Sequence, residues 1–213
     1  MKHYSKILLL ILLPALLITG CKKETTENVS KTVKVSYPEI TLNGNALVIV
    51  QTGSTYTDAG AKLKDDITGA ISDIQPTSNP VNTAVPGLYV VTFSASNANG
   101  FETTASRLVA VTGVTGTTNR AGTYLRAATG LNCFITKLAE GVYELKNPGA
   151  AGVSVNTKVI MVETAPNVYV CPPQPTPDFG TMSVININFT ATGVTWNVIN
   201  PSFGTGTRVF IKQ

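Results

Sequence analysis

The sequence predicts an all-β protein built from two antiparallel β-domains, and three observations predict it. Short alternating runs rich in Val, Ile, Thr and Tyr recur between clusters of Gly, Pro, Asn and Asp. Helical periodicity is poor nearly throughout. Setting residues 1–20 aside leaves 193 of the 213 residues, enough for two domains of modest size.

Residues 1–20 are set aside because they read as an address. Lys2, His3 and Lys6 form a short positive segment, Ile7 to Ile18 is an apolar run containing Pro14, and small residues precede Cys21. That run would cover about 18 Å as a helix, short of a hydrocarbon core of about 30 Å, so a permanent membrane span is not expected. The stretch Leu17-Ile18-Thr19-Gly20-Cys21 resembles a bacterial lipobox. The resemblance implies a thioether-linked diacylglyceryl group on Cys21, cleavage before it and acylation of the new N-terminus. An ordinary signal peptide is the competing reading. Two or more acyl chains hold a protein firmly where one is marginal. Lys22 stands where an inner-membrane retention signal would place Asp, so the expected location is the outer membrane. Lys22-Lys23-Glu24 with Glu27 loosely resembles the export tag of Bacteroidetes surface lipoproteins, which implies display at the cell surface.

Residues 21–35 are then a lipidated flexible tether. The first domain is expected over 36–111. ALVIVQTG gives a strand and turn, an extended stretch closes at Asp65-Asp66, and a hairpin follows around Asn97-Ala98-Asn99-Gly100. In the hairpin Tyr89, Val91, Phe93 and Ala95 share one face. The return strand is apolar on both faces, with Leu108 and Ala110 opposite Val109 and Val111, which suits a central sandwich strand. The order Tyr56-Thr57-Asp58-Ala59-Gly60-Ala61, Asp65, Pro86 to Phe93, Asn97 to Gly100 resembles the bacterial Ig-like domains of secreted and surface proteins, the kind also found in pesticidal crystal proteins. That likeness implies a β-sandwich with a spacer or adhesion role.

Residues 112–119 form a small-residue linker. The second domain, 120–213, offers eight strand-like runs: GTYLRAAT, NCFITKL, GVYELKN, TKVIMVE, NVYVC, MSVININFT, GVTWNVIN and TRVFIKQ. Their close spacing predicts an antiparallel sandwich or barrel. Gly122-Thr123-Tyr124, Thr136-Lys137, Gly141-Val142-Tyr143, Trp196, Phe203-Gly204 and Phe210-Ile211-Lys212 resemble a C-terminal β-domain of Bacteroidetes lipoproteins whose role is not established. The tether, Ig-like and distal-domain order also resembles the SusE-like accessory lipoproteins of polysaccharide uptake.

Composition excludes several classes of function. The single histidine, His3, lies in the cleaved segment, which removes the commonest general base and metal ligand from the mature chain. The formal charge of +4 falls to about +2 without Lys2 and Lys6, and no basic cluster beyond Lys22-Lys23 marks a nucleic-acid surface. Cys133 and Cys171 could close a disulfide around a loop of about 39 residues, worth about 4 kcal/mol in the chain-entropy model, or could serve as separate apolar fillers. Glu140 and Glu144, about 13 Å apart on an extended strand, are too distant for the carboxylate pair of a glycosidase. Glu163 and Asp178 could converge only through the fold. Asp58, Asp65, Asp66 and Asp73 match no EF-hand spacing. Aromatic side chains could stack a sugar: Phe179 and Phe203 lie in Pro/Gly-rich loops, while Trp196 alternates with Val194 and Val198 and so suits the core. The expectation is a non-enzymatic lipoprotein with no cofactor and no metal site. The SusE-like resemblance implies that it binds a glycan and associates with an outer-membrane transporter. An adhesive or envelope-organising module that binds another protein is the alternative.

Overall fold

Alternating apolar residues generate the strands, and the faces they bury decide the architecture. The computed structural model describes residues 35–213; the signal segment, Cys21 and the tether through residue 34 lie outside the described residues. The fold is all-β. In the first domain β1 (Glu39–Leu42), β3 (Ala61–Lys64) and β4 (Ile71–Ile74) form one sheet, and β2 (Leu47–Gln51), β6 (Glu102–Thr112) and β5 (Gly87–Ser96) form the other. The β5–β6 hairpin runs in register from Gly87↔Val111 to Ser96↔Glu102. Its turn is closed by Asn97, whose Oδ1 accepts the amides of Asn99 and Phe101, with Gly100 at φ 84°. Val91, Phe93 and Val109 fill the space between the sheets with Ile40, Leu42 and Val48, so the domain is a sandwich.

The Tyr56–Ala61 motif proves to be the cradle of a buried ion pair. Arg107 rises from β6 into that core, and both it and Asp58 are almost fully buried. Its guanidinium donates to the Asp58 carboxylate and to the carbonyls of Asn43, Asn45 and Gly60. Asp58 also accepts the Tyr56 hydroxyl at 2.5 Å and the Gly60 amide at 2.7 Å. Gly60 sits at φ 73°, and a Cβ there would meet the Ile74 carbonyl oxygen at 3.0 Å. The motif therefore needs glycine at that position for both conformation and space.

The second domain is a closed eight-stranded antiparallel barrel: β7 (Gly122–Arg126), β8 (Leu131–Ala139), β9 (Val142–Lys146), β10 (Lys158–Ala165), β11 (Val168–Thr176), β12 (Gly180–Phe189), β13 (Gly193–Ile199) and β14 (Arg208–Lys212). Of the two architectures open to the sequence, closure wins because β14 pairs back onto β7. Tyr124, Tyr143, Leu145, Met161, Met182, Trp196 and Phe210 pack the interior. The barrel is thus a filled core with no channel among those side chains.

Both faces of β10 are buried, which explains its unbroken apolar run Val159-Ile160-Met161-Val162. Val159 and Met161 face the barrel interior. Ile160 and Val162 face outward and join Val142, Leu88, Ala110, Leu47 and Ile49 in a cluster between the barrel wall and the sandwich. The second apolar face of β6, read from sequence as the mark of a central sandwich strand, is covered by the barrel wall. Polar contacts pin the linker too: the Thr112 hydroxyl donates to the Glu140 carbonyl at 2.6 Å, and the Tyr143 hydroxyl to the Thr118 carbonyl at 3.0 Å.

One departure from the sequence reading has a clear cause. NVYVC was expected to end at Cys171, yet β11 continues through Pro172-Pro173 to Thr176. Prolines lack the N–H that a ladder needs, and the β11–β12 register shifts between Cys171 and Gln174. The buried Gln174 side chain substitutes for the backbone: its Oε1 accepts the Ile160 amide at 2.8 Å and its Nε2 donates to the Ile160 carbonyl at 2.9 Å.

Candidate functional site

An up-and-down barrel has two ends, and here they are unequal. At one end the connections are tight: 140–141, 166–167 and 190–192, beside the incoming linker and the C-terminus. At the other end lie 127–130, 147–157, 177–179 and 200–207. The two long loops both belong to this second end. Long loops carried by a rigid scaffold are where binding residues concentrate.

These loops are tied down. Three successive carbonyls of the 147–157 loop are held from below: Pro148 by the Trp196 indole N–H at 2.8 Å, Gly149 by Arg126 Nη1 at 3.1 Å, and Ala150 by the Thr129 hydroxyl at 2.8 Å. Buried Asn147 adds bonds to the Ala151 amide and the Ser154 hydroxyl. Buried Asn200 donates to the carbonyls of Phe179 and Thr181 at 2.7 and 2.8 Å, so it joins the 200–207 and 177–179 loops. Phe179 and Phe203, each half-buried, meet edge to face with ring centroids 5.1 Å apart. Phe203 also lies against Gly149, where an added Cβ would stand 3.1 Å from its ring.

Beside Phe203 opens a groove of about 430 Å³ whose lining includes Arg126, Val153, Gly204, Thr207 and Arg208. Val153 is 73% exposed. Arg208 is buried, donates to the carbonyls of Gly204 and Gly206, and stacks its guanidinium 6.0 Å from the Phe203 ring centre. Its Nε has no hydrogen-bond partner among the described residues. Burial, helped by the positive charge of Arg126, pulls the Arg208 guanidinium below its ordinary pKa. Neither arginine has a carboxylate in ion-pair range among the described residues. The groove combines an aromatic face, donors and positive charge on a fixed frame.

The structure sorts the residues singled out from sequence. Phe179 and Phe203 come together edge to face, and of the two Phe203 lines the groove. Trp196 does not line it: the ring is fully buried 4.6 Å from Phe210 and supports the groove through Pro148. Cys133 and Cys171 are free, buried thiols of the barrel core, the filler arrangement rather than the bridge. Burial raises both pKa values, Cys171 to about 12, so both stay protonated and inert near neutral pH.

Most of the carboxylates are engaged in ion pairs or hydrogen bonds. Glu140, in the β8–β9 turn, bonds Lys137 and Thr117, which together lower its pKa to about 2. Glu144 pairs with Lys158 at 3.0 Å. Glu163 is buried beside Gly141 and accepts the Asn167 amide through Oε1 at 2.7 Å, while its Oε2 has no hydrogen-bond partner among the described residues. Asp178 is exposed in the 177–179 loop and does not converge with Glu163, which sits near the opposite end of the barrel. Asp65 caps the Ile67 and Thr68 amides, Asp66 accepts Asn97, and Asp73 pairs with Lys62. Among the described residues no group of three or more potential metal ligands stands together.

Arg126, Arg208, Asn147 and Asn200 were not legible beforehand. A polar residue placed just at the start or end of an apolar strand, next to a Gly-rich loop, is the signal that could have found them.

Residues 40–111, most of the first domain, match the family model of the bacterial surface protein Ig-like domain. Among solved structures the chain is similar to a lipoprotein from Bacteroides thetaiotaomicron, with 18% identity, 83% of this chain and 100% of that chain covered, and a TM-score of 0.36. No curated protein matches this chain.

Proposed function

We propose that this protein is a lipid-anchored lipoprotein of the bacterial outer membrane, displayed at the cell surface, whose Ig-like domain carries a barrel that binds glycan. The observation that carries the glycan reading is Phe203, which lines a loop-built groove and is braced edge to face by Phe179. Pyranose rings stack on aromatic faces, and the surrounding loop carbonyls, Thr207 and the arginines can bond hydroxyl groups. Because the loops are fastened by buried side chains, little ordering would oppose binding. Capture of polysaccharide near an outer-membrane transporter is the role that fits, with no chemical step performed by this chain. Anchoring rests on the Cys21 border motif, and surface display is supported by the family matched at 40–111.

The test is a glycan screen of the full chain in detergent, with Phe203→Ala beside it. Retention by at least one polysaccharide is expected, weakened about fivefold or more in Phe203→Ala, since loss of one stacking aromatic is worth roughly 1–3 kcal/mol where nucleobases stack on aromatic side chains. A screen blank across many polysaccharides would count against the reading.

A protein-binding role is favoured by a different surface. Phe134, Val209 and Ile211 are exposed on the outer wall of the adjacent strands β8, β7 and β14, where Leu125 pairs with Ile211. An apolar patch of that kind suits an adhesive or envelope-organising partner. It makes no use of the loop frame described above.

A further inference from the structure

The charges around the groove carry more information than its aromatics. Four cationic side chains stand at or beside the long-loop end of the barrel: Arg126, Lys146, Lys158 and Arg208. Asp178 is the one acidic residue in the four loops there, and it does not line the groove. Lys158 is matched by Glu144. The two arginines are not matched, and both line the same groove. Bringing two guanidinium groups together without a carboxylate is unfavourable, and burying one of them makes it more so. The frame nevertheless holds both in place. Arg126 is anchored by one bond to Gly149, which leaves the rest of its fork without an acceptor among the described residues. Arg208 is anchored by two loop carbonyls, and its buried Nε points to no partner.

Resting on the glycan reading above, we propose that the groove selects a negatively charged saccharide, with the oxyanion of a uronate or sulfate ester bound between Arg126 and Arg208 beside Phe203. An oxyanion supplies the missing counter-charge to both cations and an acceptor for their free N–H groups. Planar guanidinium forks match carboxylate and sulfate oxygens geometrically. A neutral polysaccharide would use the aromatic face and leave the paired charges uncompensated.

Affinity electrophoresis of the full chain in detergent tests this, with polygalacturonate, dextran sulfate, neutral dextran and neutral xylan in separate gels. Retardation by polygalacturonate, dextran sulfate or both is expected, and which of the two retards identifies carboxylate or sulfate. Arg126→Glu should weaken that retardation by about tenfold or more, the scale of one charge-assisted hydrogen bond. Arg126→Gln, which keeps a donor for the Gly149 carbonyl, should weaken it in the same direction. Lys64→Glu, at an exposed site on the sandwich, should change it by less than about twofold. Equal weakening by Lys64→Glu would mean diffuse charge attraction and overturn the inference. So would retention by the neutral polymers that Arg126→Glu leaves unchanged, although the glycan reading would then stand. No retention by any of the four, together with a blank glycan screen, would remove the glycan reading itself.

Discussion

Arg107→Ala should destabilise the sandwich by about 3–5 kcal/mol, because it strands a buried carboxylate and three carbonyl groups at once. Domains of this size are stable by about 5–15 kcal/mol, so the variant should lose a large share of its margin in urea denaturation. Asp58→Ala should cost a similar amount from the other side, leaving a buried guanidinium uncompensated. The double variant should cost less than the two singles together, since each alone leaves the partner's charge without an answer. In the native protein burial pushes the Asp58 carboxyl up, but the bonds from Arg107, Tyr56 and the Gly60 amide outweigh it and leave the pKa below the ordinary value. A depressed folded-state pKa gives stability that is present above the unfolded value of about 3.9 and is lost as pH falls through the folded one. The wild-type sandwich should therefore weaken only in acid. In Arg107→Ala burial acts unopposed by the guanidinium, Asp58 titrates higher, and the sign reverses: stability is then lost as pH rises through the raised value. A stability-against-pH curve for the variant that slopes the same way as wild type would contradict this account. The Tyr56 hydroxyl, raised to about 12 by burial and by Asp58, stays a donor throughout.

Trp196→Ala should lower the stability of the barrel by about 3–5 kcal/mol, the cost of an aromatic-to-alanine cavity that cannot collapse. The ring is fully buried and tilted against Phe210, and its indole N–H holds the Pro148 carbonyl. Two effects are thus superposed, and Trp196→Phe separates them. That variant keeps most of the packing but leaves Pro148 without its donor, at about 1–3 kcal/mol. Amide exchange in residues 147–157 should speed up in Trp196→Phe while exchange in the β13–β14 ladder changes little. Equal acceleration everywhere would mean that Trp196 acts only as core filling. The result bears on function because the same loop carries Gly149, on which Phe203 rests.

How much of this was legible beforehand depended on the kind of signal. Period-two alternation located the barrel strands, β2 and the β5–β6 hairpin, because one face of each must be apolar to be buried, whereas the short strands β1 and β4 were not singled out. The two-faced strand at Leu108–Val111 was legible as a central sandwich strand, but not that the barrel wall covers its second face. Periodicity reports that a face is buried without reporting what buries it. The spacing left sandwich and barrel both open, since closure rests on pairing between β14 and β7, distant in the chain and unmarked by any motif. Phe179 and Phe203 were picked out by their Pro/Gly-rich surroundings, and Trp196 was correctly weighed toward the core by its flanking valines. The arginines escaped notice because scattered single charges look alike in a sequence. Only the fold reveals that Arg107 lacks solvent, or that Arg126 and Arg208 share one groove. Gln174 escaped for a related reason: its amide replaces ladder bonds that Pro172-Pro173 cannot make, and a Pro-Pro pair reads as the end of a strand.

Amide hydrogen exchange of the full chain, with and without a polysaccharide that it retains, tests the central claim most directly. Binding at the long-loop end of the barrel predicts slowed exchange in 147–157 and 200–207, with the sandwich unchanged. Slowed exchange confined to residues 43–59, which line a smaller cleft on the sandwich, or to the outer wall formed by β14, β7 and β8, would contradict it.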